Sequence, residues 1–270
     1  MKAPPLLPTL SDQDWSDLRY AKSLLETPAF AARMANLLGG PIEKGFALLP
    51  QGWSATVHKA ANAALLKSVK VAVTTLGRNT PRKSSEKFHK LLVGASGGVG
   101  GAFGLVALPI ELPLSTTIML RSIADIARSE GHNIAALDTK LNCLEVFALG
   151  GRSQTDNKAE SAYWAVRMAL AKTLSEAASY IAQKGIIEES APAIVRLIAS
   201  IASRFGVVVS EQVAAKSVPI VGAAAGSVIN VLFIDHFQDM ARGHFIVRRL
   251  EARHGSEMVR TAYETLAIPV

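Results

Sequence analysis

LLVGASGGVGGAFGLVALPI, from Leu91 to Ile110, and SVPIVGAAAGSVINVLFI, from Ser217 to Ile234, are the segments whose reading decides the fold. Neither contains a charge. Lys90 and Glu111 bound the first, and Lys216 and Asp235 bound the second. Small residues recur one helical turn apart, at Gly94, Gly98, Gly101 and Gly104 and again at Gly222 and Gly226. Glycines at that spacing leave a groove along a helix, so a second backbone can approach closely. The expectation is an all-α, multi-helix bundle built around two glycine-rich apolar helices packed on each other. Both segments are also near the roughly 20 residues that span a bilayer. Dense glycine, Pro109, Pro219 and Asn230 all weaken an isolated spanning helix, which favours packing inside protein, with transmembrane or re-entrant insertion as the alternative.

Helix signals continue on both sides. Ser11 and Asp14 resemble a capping box opening a helix to about Glu26. Pro28 starts a short apolar helix ending at Gly39 and Gly40, and Trp53 to Thr75 reads as a longer alanine-rich one closed by Gly77. Pro109 and Pro113 bracket Glu111 and predict a break, after which Ser115 or Thr116 caps a helix that ends at Gly131. Ala159, Tyr163, Val166, Leu170, Leu174, Ala177 and Ile181 recur at spacings of three and four, the buried stripe of an amphipathic helix stopped by Gly185. Pro192 opens the next helix, and Pro219 the last long stretch, ending near Gly255. Almost nothing alternates with period two. Residues 1–270 read as a single domain, with GGRSQTDN (Gly150 to Asn157) as the clearest internal loop and the candidate lobe boundary.

Composition narrows the surroundings. Hydrophobic residues make up 49% of the 270 and charged residues 19%, below the roughly 25% of an average soluble domain, so the chain leans towards deep burial or membrane contact. The lone Cys143 lies in the apolar run Leu141 to Leu149 and reads as a buried structural thiol in a reducing cytoplasm. A net charge of +7 suggests an anionic partner. The densest basic stretch, Arg78, Arg82, Lys83, Lys87 and Lys90, abuts the first apolar segment, as residues facing an anionic membrane surface do. Nucleic acid is not the expected partner, because Trp15, Trp53 and Trp164 are scattered and no recognised motif is present.

Motifs that carry chemistry are few. Gly94-Ala95-Ser96-Gly97-Gly98 matches the serine-hydrolase elbow in form, but the elbow needs an entering strand, which an all-helical pattern does not supply. The glycine tract lacks the Lys-Ser/Thr ending of a phosphate loop and the third glycine of the dinucleotide fingerprint, so no cofactor is expected. Asp235, His236, Asp239 and His244 are metal-competent, yet Glu-x-x-His pairs are missing, and a polar latch is the preferred reading over metal. In that latch Asp235 and Asp239 pair with Arg242, Arg121 or Arg128, with Asp125 and His236 alongside, and tie the halves together. Taken by themselves, Arg121, Asp125 and Arg128 lie four and three residues apart on one face and read as a self-neutralising charge strip. Glu111 and Asn230 would be costly in hydrocarbon and should face protein or water. With Gly94, Gly98, Gly101, Gly104, Gly222 and Gly226 they form the candidate surface for lipid or partner.

Three stretches together resemble the EcsC protein family: LPIELPLSTTIMLRSIADIARSEG (Leu108 to Gly131), EVFALGGRS (Glu145 to Ser153) and VPIVGAAAGSVINVLFIDHFQDMARGHFIVRRLE (Val218 to Glu251). The resemblance implies a helical, bacterial cytoplasmic protein associated with the membrane, and carries over no catalytic residue. The function expected is that of a non-enzymatic accessory protein at the inner membrane, binding lipid or an apolar segment of a membrane protein such as a transporter, with homo-oligomerisation left open. The alternative is a hydrolase acting on a lipid, ester or phosphoester near Asp235 and His236.

Overall fold

The computed structural model describes residues 10–26, 30–76, 108–151, 162–185, 188–218 and 223–267. Gly94, Gly98, Gly101, Gly104 and Gly222, the elbow serine Ser96, and the basic stretch Arg78, Arg82, Lys83, Lys87 and Lys90 lie outside the described residues. Within them the chain is all-α. Ten helices are described: α1 (Asp12–Leu25), α2 (Phe30–Leu38), α3 (Glu43–Ala47), α4 (Trp53–Thr75), α5 (Leu108–Ser129), α6 (Leu137–Leu149), α7 (Ala162–Lys184), α8 (Pro192–Lys216), α9 (Ala223–His254) and α10 (Ser256–Thr265).

Local signals set most of these boundaries. Ser11 caps α1 through a 3.1 Å bond from the Asp14 N–H to its Oγ, while its own hydroxyl donates to Asp14 Oδ2 at 2.7 Å. Gly39, Gly131, Gly185 and Gly255 follow helices with positive φ, the conformation that stops a helix at least cost. Pro192 opens α8 in the first turn, where its missing N–H loses nothing.

Around Glu111 the sequence expectation fails. The helix does not break there: α5 runs without interruption from Leu108 through Pro109 and Pro113 to Ser129. Each proline removes a single ladder donor, and the helix continues across that loss. Ser115 and Thr116 are therefore interior residues and not caps. Ser115 Oγ donates back to the carbonyls of Glu111 (3.0 Å) and Leu112 (3.1 Å), and Thr117 Oγ1 to that of Pro113 (2.7 Å).

Helix α9 is the axis of the bundle and packs against α1, α2, α5, α6, α8 and α10. Helix α1 runs antiparallel to it, as the pairs Asp14–Arg253 and Asp17–Arg249 require. Helix α5 runs parallel to it, with Glu111 at Asn230 and Ser122 at Gln238. On the other side α8 packs against α4, α6 and α7. The centre is aromatic: Phe147, Phe205, Phe233 and Phe237 stack in edge or tilted geometry at centroid distances of 5.2–6.2 Å. Cys143 is fully buried in α6, and burial pushes its thiol up, so it supplies no thiolate. Lys22 of α1 reaches the C-terminal end of α10, its Nζ donating to the carbonyls of Tyr263 and Leu266 at 2.8 Å each.

Backbone close approach is present at glycines outside the two segments singled out by sequence. Gly45 faces the Ala214 backbone, Gly151 faces the Arg204 backbone, and Gly150 lies against His236 and Phe237. A Cβ on Gly243 would stand 2.6 Å from Leu25 Cγ and 2.9 Å from the Ala21 carbonyl oxygen, so this glycine sets the α1–α9 spacing. Gly243→Val is expected to cost about 1–3 kcal/mol, read as a lower urea midpoint, because two long helices must separate to admit it. A midpoint unchanged from wild type would show that α1 yields freely.

Candidate functional site

Glu111 and Asn230, the acid and amide at the ends of the two apolar segments, are brought into contact. Glu111 Oε1 accepts from Asn230 Nδ2 at 3.1 Å and from Lys216 Nζ at 2.9 Å, while Asn230 Oδ1 accepts from Gln212 Nε2 at 2.8 Å. Asn230 is 1% exposed. These groups answer one another, as buried polar groups must. Gly226 is buried one turn before Asn230 on α9.

Arg128 holds Asp125 of its own helix at 2.7 Å, the self-neutralising strip that their spacing predicts. Asp239 meets Arg33 of α2 at 3.0 Å, and Arg242 meets Glu130, the residue after α5, at 3.6 Å. His236 Nε2 donates to the Gly150 carbonyl at 2.9 Å, Asp235 is half-buried, and Arg121 is exposed on α5. Through Arg33, Glu130 and Gly150, α9 is tied to α2 and to the C-terminal ends of α5 and α6. Helical spacing says which residues share a face, but not which helix lies opposite.

A second polar constellation, which the sequence reading did not assemble, lies between α6, α7 and α9. Tyr163 Oη accepts from Arg167 Nη1 at 3.3 Å and lies 3.1 Å from His244 Nδ1. With the tyrosine proton directed to Nδ1, the other imidazole nitrogen carries the hydrogen and faces Glu145 Oε2 at 3.6 Å. Arg167 continues the chain as a two-bond clamp on Glu251, at 2.8 and 3.0 Å. Arg248 bonds Glu251 at 3.3 Å and Asn142 Oδ1 at 3.2 Å.

Burial tunes this chain. It raises Glu145 to about 7, the attraction of Arg167 and Arg248 offsetting only part of the desolvation. It holds His244 well below the usual imidazole range, helped by the same arginines, and pushes Tyr163 up. Near neutral pH the imidazole and phenol are uncharged and Glu145 is poised between its two forms.

Beside the chain opens a cavity of about 510 Å3, within the range that holds one small ligand. One face of α7 lines it over four turns, through Trp164, Arg167, Met168, Ala171, Leu174 and Ala178. Asp138, Leu141, Asn142 and Glu145 of α6 form the facing wall, and Arg248 and Arg260 reach in from α9 and α10. Asp235 and His236 do not line it. Among the described residues no three His, Cys, Asp or Glu side chains gather as metal ligands.

Signals for this site were in the sequence. Glu145 is a solitary carboxylate inside Leu141 to Leu149, and Arg167 sits within the buried stripe between Tyr163 and Leu170. Each is a charge on an apolar face and must find a partner there. One helix among the described residues, α8, is long and apolar enough to cross a membrane, and half of its apolar window is buried in protein. No curated protein and no solved structure matches the chain. The model of the EcsC protein family matches residues 13–250, taking in nearly all of α1 to α9 and with them the Glu111 node, the polar chain apart from Glu251 and nearly all of the cavity wall, and the chain belongs to that family.

Proposed function

We propose that this chain is a membrane-associated accessory protein, without a reaction of its own, that binds lipid or an apolar segment of a membrane partner at the inner membrane. The observation that carries this reading is the mixed lining of the α6–α7 cavity, with Leu141, Ala171, Leu174 and Ala178 along it and arginines at one end. An apolar run joined to a cationic end suits an amphiphile better than a wholly polar metabolite. The basic stretch Arg78 to Lys90 adds attraction to an anionic leaflet.

The hydrolytic alternative has less support. His236 is 3% exposed, is bonded to a backbone carbonyl, and lies away from the cavity.

Flotation with anionic vesicles tests the proposal. The protein is expected to rise with them at low salt and to be released at high salt. Charge reversal at Lys83 and Lys87 should weaken binding by at least about thirtyfold, since each basic residue near such a surface contributes roughly 1 kcal/mol. Protein that stays at the bottom of a low-salt gradient refutes membrane association.

A further inference from the structure

Trp164 is 5% exposed and lines the cavity, and its Nε1–H, itself buried, has no hydrogen-bond acceptor among the described residues. A buried donor left unpaired costs about 1–3 kcal/mol. The guanidinium of Arg167 lies 4.7 Å from the centroid of the same ring and that of Arg260 lies 6.0 Å from it. One end of the cavity therefore concentrates two cations and an unanswered N–H around a single aromatic side chain.

The acids nearby do not cancel this. Glu251 bonds both Arg167 and Arg248 from behind, one carboxylate against two cations, and does not itself line the cavity. Two carboxyls do line it, Glu145 and, two turns earlier on α6, Asp138; burial favours the neutral form of Glu145, and the lining arginines Arg167, Arg248 and Arg260 outnumber both. Arg260 is held by Glu264 in an exposed pair at 2.8 Å, with side chains 38% and 48% exposed, an interaction of little worth and readily exchanged for a stronger acceptor. From the cationic end the lining face of α7 continues from Trp164 to Ala178, roughly 21 Å at the helical rise. Beyond Arg167 it presents Met168, Ala171, Leu174, Ser175 and Ala178, without a charge. Met168 is 58% exposed, so the apolar strip opens to the surface.

We propose that the α6–α7 cavity binds a single-chain amphiphile with an anionic head, carboxylate or phosphate, the head accepting from the Trp164 indole and Arg260 and the chain lying along α7. This deepens, and rests on, the reading of the protein as a lipid binder. One narrow strip along one helix fits one chain, and the donors at its end fit an anion. No covalent step is involved.

Calorimetric titration of the full chain, below micelle-forming concentrations, tests it with four probes: a 16-carbon fatty acid, the matching lysophosphatidic acid, the matching monoacylglycerol, and inorganic phosphate. The two anionic amphiphiles are expected to bind at least tenfold more tightly than the monoacylglycerol and a hundredfold more tightly than phosphate. Trp164→Phe and Arg260→Gln should each weaken the anionic probes about tenfold, the worth of a hydrogen bond to a charged group, and leave the monoacylglycerol unchanged. Ala171→Glu, at an exposed position that tolerates substitution, should weaken every chain-bearing probe and not phosphate.

Equal affinity for the monoacylglycerol overturns the anionic head, and phosphate binding as tightly as lysophosphatidic acid overturns the chain. Binding indifferent to all three variants overturns the location. Protein that floats with anionic vesicles but takes none of the probes defeats this inference and leaves membrane association standing, whereas failure in both assays removes both.

Discussion

Breaking the Arg167–Glu251 clamp on one side is expected to remove about 3–5 kcal/mol from the free energy of unfolding. The side chains are 12% and 7% exposed, and the guanidinium makes both of its bonds to one carboxylate, at 2.8 and 3.0 Å. Arg167→Met leaves Glu251 with Arg248 at 3.3 Å and the Ser256 hydroxyl at 3.0 Å, a weaker shell for a charge already out of water. It also takes a donor from Tyr163. Glu251→Leu strands the arginine instead. The double variant should recover most of the loss, because an apolar pair of similar volume leaves no charge without a partner. Urea unfolding of the four proteins gives the coupling energy directly. Domains of this kind are stable by about 5–15 kcal/mol in all, so either single variant should show a large fall in midpoint. Single variants costing under about 1 kcal/mol would place the clamp with ordinary surface pairs.

What the sequence made legible, and what it hid, follows from the range of the forces involved. Caps and stops are local, so Ser11, Gly131, Gly185, Pro192 and Gly255 could be placed at helix ends from neighbouring residues alone. Trp53 to Thr75 was equally plain, since a long alanine-rich run needs no partner to be recognised as α4. Pro113 was misleading because a proline removes one donor from the ladder without ending the helix, so its presence alone does not fix a boundary. The meeting of Glu111 with Asn230 could be suspected, since both are polar interruptions of apolar segments that have to be satisfied somewhere. Their attachment to Lys216 and Gln212 could not, because it depends on the crossing of α5, α8 and α9. The cavity is further still from one-dimensional view. Its wall draws on α6, α7, α9 and α10, and no short stretch holds more than a few of its residues. Close approaches among the described residues involve Gly45, Gly150, Gly151 and Gly243, solitary glycines with no repeat to mark them, while the repeat from Gly94 to Gly104 lies outside the described residues.

Glu145→Gln is expected to make the protein more stable than wild type at pH 8, by up to roughly 3 kcal/mol, and to give no such advantage near pH 4.5. The sign follows from the direction of the shift. Burial raises this carboxyl from 4.5 to about 7, so between those values the folded chain holds a proton that the unfolded chain has released. Stability from this group is complete below 4.5 and is lost as pH rises through 7, at about 1.4 kcal/mol for each unit of difference. Wild-type stability alone does not isolate the effect. His244 is shifted the other way, chiefly by burial, and its contribution is lost as pH falls below the ordinary imidazole value of 6.5. The two opposing terms bend the wild-type profile into a dome, and only the difference between Glu145→Gln and wild type at each pH reports Glu145. Glu211, also raised to about 7 by burial against a bond from the Ala31 backbone, titrates in the same window. Its removal should shift stability in the same direction by less, since the side chain is only half-buried. Urea unfolding from pH 4.5 to 8.5 measures all three proteins. A difference curve for Glu145→Gln that is flat, or that falls with pH, would mean that the carboxyl is ionised throughout, with Arg167 and Arg248 outweighing its desolvation. The cavity wall would then carry a fixed negative charge beside its arginines, and an anionic head would have no place there.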